Sequence, residues 1–173
     1  YSDTPFGERS SAGKLFGVSG GVMEAALRTA HFFITGKELE AQQIPDIRGL
    51  DGVKTTKVKI NGLELGIGVV NGLKNARTLL EEIKAGRNDL HFIEVMTCPS
   101  GCIGGGGQPI GIDTSAVAQR MKALYKIDKE SDLRVSHKNT SIQRIYNEFL
   151  GKPLGEKSHH LLHTHYTKRD VLK

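Results

Sequence analysis

Two neighbouring stretches that alternate apolar and polar residues, joined by Asn61-Gly62, set the strongest limit on what this chain can fold into. From Val53 to Ile60, Val58 and Ile60 alternate with Lys57 and Lys59; from Leu63 to Val70, Leu63, Leu65, Ile67 and Val69 share one face. Asn-Gly supplies the positive φ values of a type I′ turn, so the pair is predicted to be an antiparallel hairpin. Asn71-Gly72 then opens a helix whose apolar stripe is Leu73, Ala76, Leu79, Leu80 and Ile83, ended by Gly86. The next apolar run, Phe92-Ile93 and Val95-Met96, is short and bounded by polar residues, as a buried strand would be. A hairpin, a helix crossing over and a further strand describe an α/β fold with a mixed sheet flanked by helices.

The flanking segments read as packing elements. Residues 1–21 read as loop, with a short strand at Lys14-Leu15-Phe16; Ser19 is expected to cap a helix in which Val22, Met23, Ala26, Leu27, Ala30, Phe33 and Ile34 turn an apolar stripe to the core, up to Thr35 and the stop at Gly36. Residues 37–50 are polar, contain Pro45 and make a connection. Asp113-Thr114-Ser115 caps a helix through Val117, Met121, Leu124 and Tyr125, followed by a linker from Asp128 to Asp132. Another helix runs from Asn139 to Leu150, stopped by Gly151 and Pro153, and the basic end after Tyr166 is expected to be disordered.

The strand at Phe92 leads into Glu94-Val95-Met96-Thr97-Cys98-Pro99-Ser100-Gly101-Cys102-Ile103-Gly104-Gly105-Gly106-Gly107-Gln108-Pro109, which holds both cysteines of the chain and its densest glycine run. Ligand sites in open α/β sheets lie beyond the carboxyl ends of strands, and Cys98 falls at such an end. Pro, Ser and Gly between the cysteines make a turn that can bring two thiolates toward one point, and glycines let backbone approach a bulky object. Thiolates suit zinc, cuprous copper and iron–sulfur clusters, although a cubane takes about four of them. For the spacing alone, a pair of structural thiols on a glycine turn is an equal alternative.

The whole stretch from Glu94 to Pro109 resembles the third signature of the iron-only (FeFe) hydrogenases, Glu-x-Met-x-Cys-x-x-Gly-Cys leading into x-x-Gly-Gly-Gly-Gln-Pro. The likeness extends to Asp3-Thr4-Pro5-Phe6-Gly7-Glu8, to Phe16-Gly17-Val18-Ser19-Gly20-Gly21-Val22-Met23-Glu24-Ala25-Ala26-Leu27-Arg28-Thr29-Ala30, and to the ending His159-His160-Leu161-Leu162-His163-Thr164-His165-Tyr166. The resemblance implies that Cys98 holds a 4Fe-4S cluster, that Cys102 holds the same cluster while bridging it to a diiron unit carrying CO and cyanide, and that Met96 lines the diiron pocket. It implies a reversible reaction in which protons and electrons become dihydrogen. The family's two other signatures, which supply the remaining cluster cysteines and the proton-donating cysteine, do not occur here. Residues 1–173 therefore read as the C-terminal part of the catalytic domain, one lobe of two, with no catalytic acid of its own. Its partners would be the missing N-terminal part and a ferredoxin or nicotinamide-linked electron-transfer subunit; its setting would be cytoplasmic.

Gly17-Val18-Ser19-Gly20-Gly21 fits the G-x-S-x-G elbow of hydrolases, but an elbow needs preceding strands and an oxyanion loop, and here a glycine loop entering a helix explains it. The four histidines at 159, 160, 163 and 165 with two cysteines could make a zinc site, though Cys-x3-Cys is not a zinc-knuckle spacing; capping and surface contacts at the last helix are expected instead. Glu94 is expected to point to a polar face or to pair with a cation in preference to acting as a catalytic carboxylate. Met96 could equally be core filling, and Gln108 could bond within its own loop or toward the cluster. A net charge of +5, an aromatic content of 6% and no Trp leave no nucleic-acid motif, and no apolar run approaches the ~20 residues of a membrane span. The non-enzymatic alternative is a hydrogenase-like iron–sulfur assembly or sensor protein; those end in Trp, which this chain lacks.

Overall fold

Asn61 (φ 49°) and Gly62 (φ 82°) both turn left-handed, as a type I′ turn demands, and close β1 (Val53–Ile60) onto β2 (Leu63–Asn71). The two pair antiparallel from Val53 opposite Val70 to Ile60 opposite Leu63. This is a computed structural model, and it describes residues 7–40, 45–110 and 113–168. β3 (Phe92–Met96) joins parallel to β2, with Asn71 opposite Met96, so the sheet order is β1-β2-β3 and the sheet is mixed. The crossover is α3 (Leu73–Lys84).

β2 is central and is buried from Gly66 onward, because each face has its own helix. On one face Ile67 and Val69 join Val58, Ile60 and Ile47 against Met23 and Leu27 of α2 (Gly21–Thr35). On the other, Val70 packs with Ala76 and Leu79 of α3, beside Ile83, Leu90 and Ile93. Successive strand residues point to opposite faces, which is why Val69 and Val70 serve different cores.

The described residues divide into two compact units. The first, Arg9–Ser136, holds the sheet, both cysteines, α1 (Ser11–Lys14), a 3-10 turn at Leu15–Gly17, α2, α3 and α4 (Thr114–Glu130). The second runs from His137 and includes Gly7 and Glu8. In it α5 (Thr140–Ile145) widens into a π turn at Tyr146–Leu150, closed where Gly151 N–H donates to the Tyr146 carbonyl at 2.7 Å; α6 (Glu156–Leu162) follows. Asn139 ties that unit together: its Oδ1 accepts from Ile142 N–H at 3.1 Å and its Nδ2 donates to the Glu8 carbonyl at 2.8 Å.

Three expectations need correction. The strand at Lys14–Phe16 is helix and 3-10 turn instead. The linker from Asp128 is wrong at its start, since α4 continues to Glu130 and Asp128 is buried at 1% exposure. The stripe of α2 turns only Met23 and Leu27 into the core, while Phe33 and Ile34 are exposed, and its other large buried side chains are Glu24 and Arg28. Residues 1–6 of the N-terminal loop, and the basic end from residue 169, lie outside the described residues.

Glu24, Arg28 and Asp128 belong to a buried ion cluster. Glu24 Oε1 accepts from Arg28 Nη2 and Arg48 Nη2, both at 2.6 Å, and Oε2 accepts from Arg48 Nε at 2.9 Å. Asp128 accepts from Ser11 Oγ at 2.6 Å, from both terminal nitrogens of Arg28 at 2.9 and 2.7 Å, and from Arg134 Nη2 at 2.9 Å. Burial raises the Asp128 carboxyl, but hydrogen bonds from Arg28, Ser11 and Arg134 overcome this and hold it at about 2. The cluster pins α1, α2 and α4 together behind the sheet.

Candidate metal centre

Because β2 and β3 are parallel, their carboxyl ends share one edge of the sheet, and both chains turn there. Gly72 N–H donates to the Met96 carbonyl at 2.9 Å, so the pairing persists one step past the strands. The chain then makes a tight turn, closed where Gly101 N–H donates to the Cys98 carbonyl at 3.0 Å, and a 3-10 turn follows at Cys102–Gly104. Cys98 is half-buried and Cys102 exposed, and both are free thiols.

Gly101 is buried at φ 85°, where a Cβ would stand 2.7 Å from Met96 Sδ and 2.9 Å from Ser19 N. Any side chain there would push the turn off the sheet. The Met96 thioether therefore packs against the back of the cysteine turn. The glycine run first hugs the turn and then leaves it. A Cβ on Gly105 would lie 2.9 Å from Cys98 Sγ, whereas one on Gly106 or Gly107 would meet nothing. Gln108 bonds within its own loop, Nε2 donating to the Cys102 carbonyl at 3.3 Å. From α4, Arg120 Nη1 donates to the backbone carbonyl of Ile103 at 3.0 Å, and the Ile103 side chain beside it is buried.

These residues fit a bulky thiolate-bound group. Cys98 Sγ faces a glycine that a Cβ would crowd, Cys102 is accessible, and the next two glycines border open space. Two thiolates do not complete a cluster site, and among the described residues no group of three or more His, Cys, Asp and Glu could hold a metal ion. The zinc reading thus gains no support; His159 and His163 on and beside α6 stack on one another at 4.1 Å.

Glu94 corrects its expectation. It faces no polar surface, and its hydrogen bonds come from backbone, not from a cation: it is 6% exposed, and its carboxylate accepts from Gly20 N–H at 2.6 Å and Met23 N–H at 2.7 Å. It caps the first turn of α2, where free N–H groups and the helix dipole favour an anion. The expected cap, Ser19, is fully buried one residue too early, and its Oγ accepts from Asn71 Nδ2 at 3.1 Å. An amide beside the hydroxyl, in place of an imidazole, is not the arrangement of a hydrolase elbow. Nearby, burial lowers the Lys54 ammonium against the pull of the Glu94 and Asp51 carboxylates, and its Nζ donates to the Gly49 carbonyl at 2.8 Å. Glu94→Gln should cost about 2 kcal/mol, because its amide would set an NH2 against a helix N–H. Chemical denaturation measures this; a change under ~0.5 kcal/mol, typical of neutral surface sites, would remove the capping role.

Sequence reasoning missed that Asn71 and Arg120 hold the cysteine loop through side chains and that Ser19 holds it through its backbone N–H. In the sequence Asn71 reads only as a helix opener. Its one signal is a lone amide ending the otherwise apolar run Ile67 to Val70.

No helix among the described residues is long and apolar enough to cross a membrane. Two family models match the chain. One, described as iron only hydrogenase large subunit, C-terminal domain, matches residues 1–106; the other, iron hydrogenase small subunit, matches residues 114–169. Over 98% of its length the chain is 53% identical to the NADP-reducing hydrogenase subunit HndD of Solidesulfovibrio fructosivorans, of which it covers 29%. It is similar to a solved variant of the FeFe-hydrogenase HydA1 from Chlamydomonas reinhardtii, with a TM-score of 0.72 and 41% identity over 95% of this chain and 48% of that one. It is also 31% identical, over 87% of its length, to the cytosolic iron-sulfur assembly component 3 of Rattus norvegicus, covering 31% of it. The chain thus spans less than half of each of these relatives.

Proposed function

The chain belongs to the iron-only hydrogenase large-subunit family, and from that premise we propose that it is the part of a hydrogenase catalytic domain that holds one side of the active cluster. Cys98 and Cys102 would be two of the thiolates that hold a 4Fe-4S cluster, and Cys102 would also hold its diiron unit carrying CO and cyanide. The observation that supports this best is the cysteine turn itself: a half-buried and an exposed thiol at the carboxyl end of β3, with glycines where side chains would obstruct a cluster.

When bound, that group supplies electron relay and the reversible conversion of protons to dihydrogen. The chain's own residues hold and shape. The Asn71 side chain of β2, the Arg120 side chain of α4 and the Ser19 N–H ahead of α2 hold the backbone of the turn, and by resemblance the Met96 thioether is a soft wall of the pocket that does not compete as a strong ligand. The relative named an NADP-reducing hydrogenase subunit favours a nicotinamide-linked electron-transfer partner over ferredoxin, and with it a cytoplasmic setting.

A cubane takes about four thiolates and this chain offers two, so it should be inactive until the upstream part of the domain supplies the rest. Co-production of the chain with that upstream part and the cluster maturation enzymes, followed by assay of hydrogen evolution from a reduced dye, tests the reading. Activity is expected only when both parts are present. Hydrogen from the chain alone would refute the need for the upstream ligands. A completed protein that binds a cubane yet evolves no hydrogen would replace the enzyme with the second reading, an assembly-type protein, which the likeness to the rat assembly component motivates.

A further inference from the structure

Ser100, midway between the two cysteines, is gripped from both sides by residues distant in sequence. Its N–H donates to Asn71 Oδ1 at 2.9 Å, and its carbonyl accepts from Ser19 N–H at 3.1 Å. Asn71 uses the rest of its amide as well: Nδ2 donates to Ser19 Oγ at 3.1 Å and to the Asp51 carbonyl at 2.9 Å. These partners dictate which end of the amide is oxygen, since the Ser100 N–H requires an acceptor and the Asp51 carbonyl a donor.

The backbone of Asn71 is equally committed. Its N–H donates to the Gly52 carbonyl at 2.9 Å, its carbonyl accepts from Asn75 Nδ2 at 2.8 Å, and in the sheet it lies opposite Met96. With Asn71 at 3% exposure and Ser19 at 0%, bulk water does not compete for these bonds. A side chain so fixed is a rigid post.

The post holds a backbone that would not hold itself. Ser100 sits at φ 63°, a left-handed conformation that is uncommon for residues other than glycine, and such a residue persists where its surroundings over-determine it. The two bonds to Ser100 are that determination. Both cysteines lie within two residues of it, so a relaxation of Ser100 rotates the peptide planes that aim both sulfurs.

We propose that Asn71 is the positioning residue of the cysteine turn, setting through Ser100 the geometry in which Cys98 and Cys102 present their sulfurs to the cluster. This rests on the reading that those cysteines are ligands. Asn71→Leu keeps the branched heavy-atom outline and removes every polar contact of the side chain; Asn71→Asp keeps an acceptor for Ser100 but turns its second oxygen toward the Asp51 carbonyl. Leu79→Ala, a buried residue of α3 on the opposite core, is the control that weakens the fold without touching the turn.

The test uses the assembled, cluster-loaded protein and three readouts: iron loss to a chelator, the electron paramagnetic resonance signature of the cubane, and its midpoint potential. Asn71→Leu is expected to lose iron ~10-fold faster than wild type, the equivalent of one buried hydrogen bond lost with its partner left unpaired, and to shift both signature and potential. Asn71→Asp restores the acceptor for Ser100 and should load iron and lose it more slowly than Asn71→Leu, though faster than wild type because its second oxygen faces the Asp51 carbonyl. Leu79→Ala should lower the melting temperature and leave the spectrum unchanged. Wild-type spectrum and iron retention in Asn71→Leu would overturn the proposal, as would equal spectral shifts in Leu79→Ala. If Asn71→Leu does not load, Asn71→Asp decides: loading supports the proposal, and failure to load overturns it. The double variant Cys98→Ser with Cys102→Ser separates the two claims, because a cluster retained there would sink the ligand reading whatever Asn71 does.

Discussion

Cys102→Ala should abolish hydrogen evolution by the assembled protein while changing its unfolding free energy by no more than about 0.5 kcal/mol. The contrast follows from where the thiol stands. Cys102 is exposed, so its loss counts as a surface substitution. In the proposed ligand role it would have no substitute, since the only other thiol of the chain, Cys98, would already be engaged. Cys98→Ala should be just as inactive but slightly less stable, because its half-buried sulfur fills the space beside Gly105. Iron content, hydrogen assay and thermal melts on the same preparations separate these effects. An active Cys102→Ala protein with full iron would show that the cluster is held by other groups.

Arg28→Met should destabilise the Arg9–Ser136 unit by about 3–5 kcal/mol, since it leaves two carboxylates in the interior without their shared cation. Glu24 and Asp128 are each 1% exposed, and Arg48 and Arg134 alone cannot replace a guanidinium that contacts both. For a unit of this size that corresponds to a fall of roughly 10–20 °C in melting temperature. The pH dependence carries a sign. The folded Asp128 carboxyl is held at about 2, below the ~3.9 of an unfolded chain, so its contribution is complete above about pH 4 and is lost as pH falls toward 2. Arg28→Met removes a principal cause of that depression. The stability gap between wild type and variant should therefore be widest at neutral pH and narrow steadily below pH ~4. A gap that did not change with pH would mean that lost packing by the Arg28 stem, not charge, carries the effect.

What could be read in advance divides by range. The hairpin at Asn61-Gly62, the spans of α2 and α3 and the strand at Phe92 are set by neighbours a few residues apart, and periodicity finds them. The cysteine turn was legible because its residue types and spacing lie in one continuous run. Glu94 was not, since its partners Gly20 and Met23 are more than seventy residues away and are backbone groups that carry no side-chain signal. The same holds for Asp128, taken for a linker residue because a charge is ordinarily solvent-facing; it is buried only because Ser11, Arg28 and Arg134 converge on it. Lys14 to Phe16 show the reverse error: a short apolar-polar run looked extended, yet the local turn bonds, such as Val18 N–H to the Leu15 carbonyl at 3.0 Å, coil it.

The ion cluster also bears on the order in which the molecule can be made. Arg28 and Asp128 are 100 residues apart, so on a ribosome adding ~5–20 residues per second the guanidinium emerges roughly 5–20 s before its second carboxylate. During that interval Glu24, one helical turn away, is the anion within reach, and the i,i+4 pair lets α2 form with its charge partly satisfied. The hairpin, α3 and the cysteine turn are all synthesised within the same interval. Closure of the unit therefore waits for α4, and the thiols are translated before the interior behind them is locked.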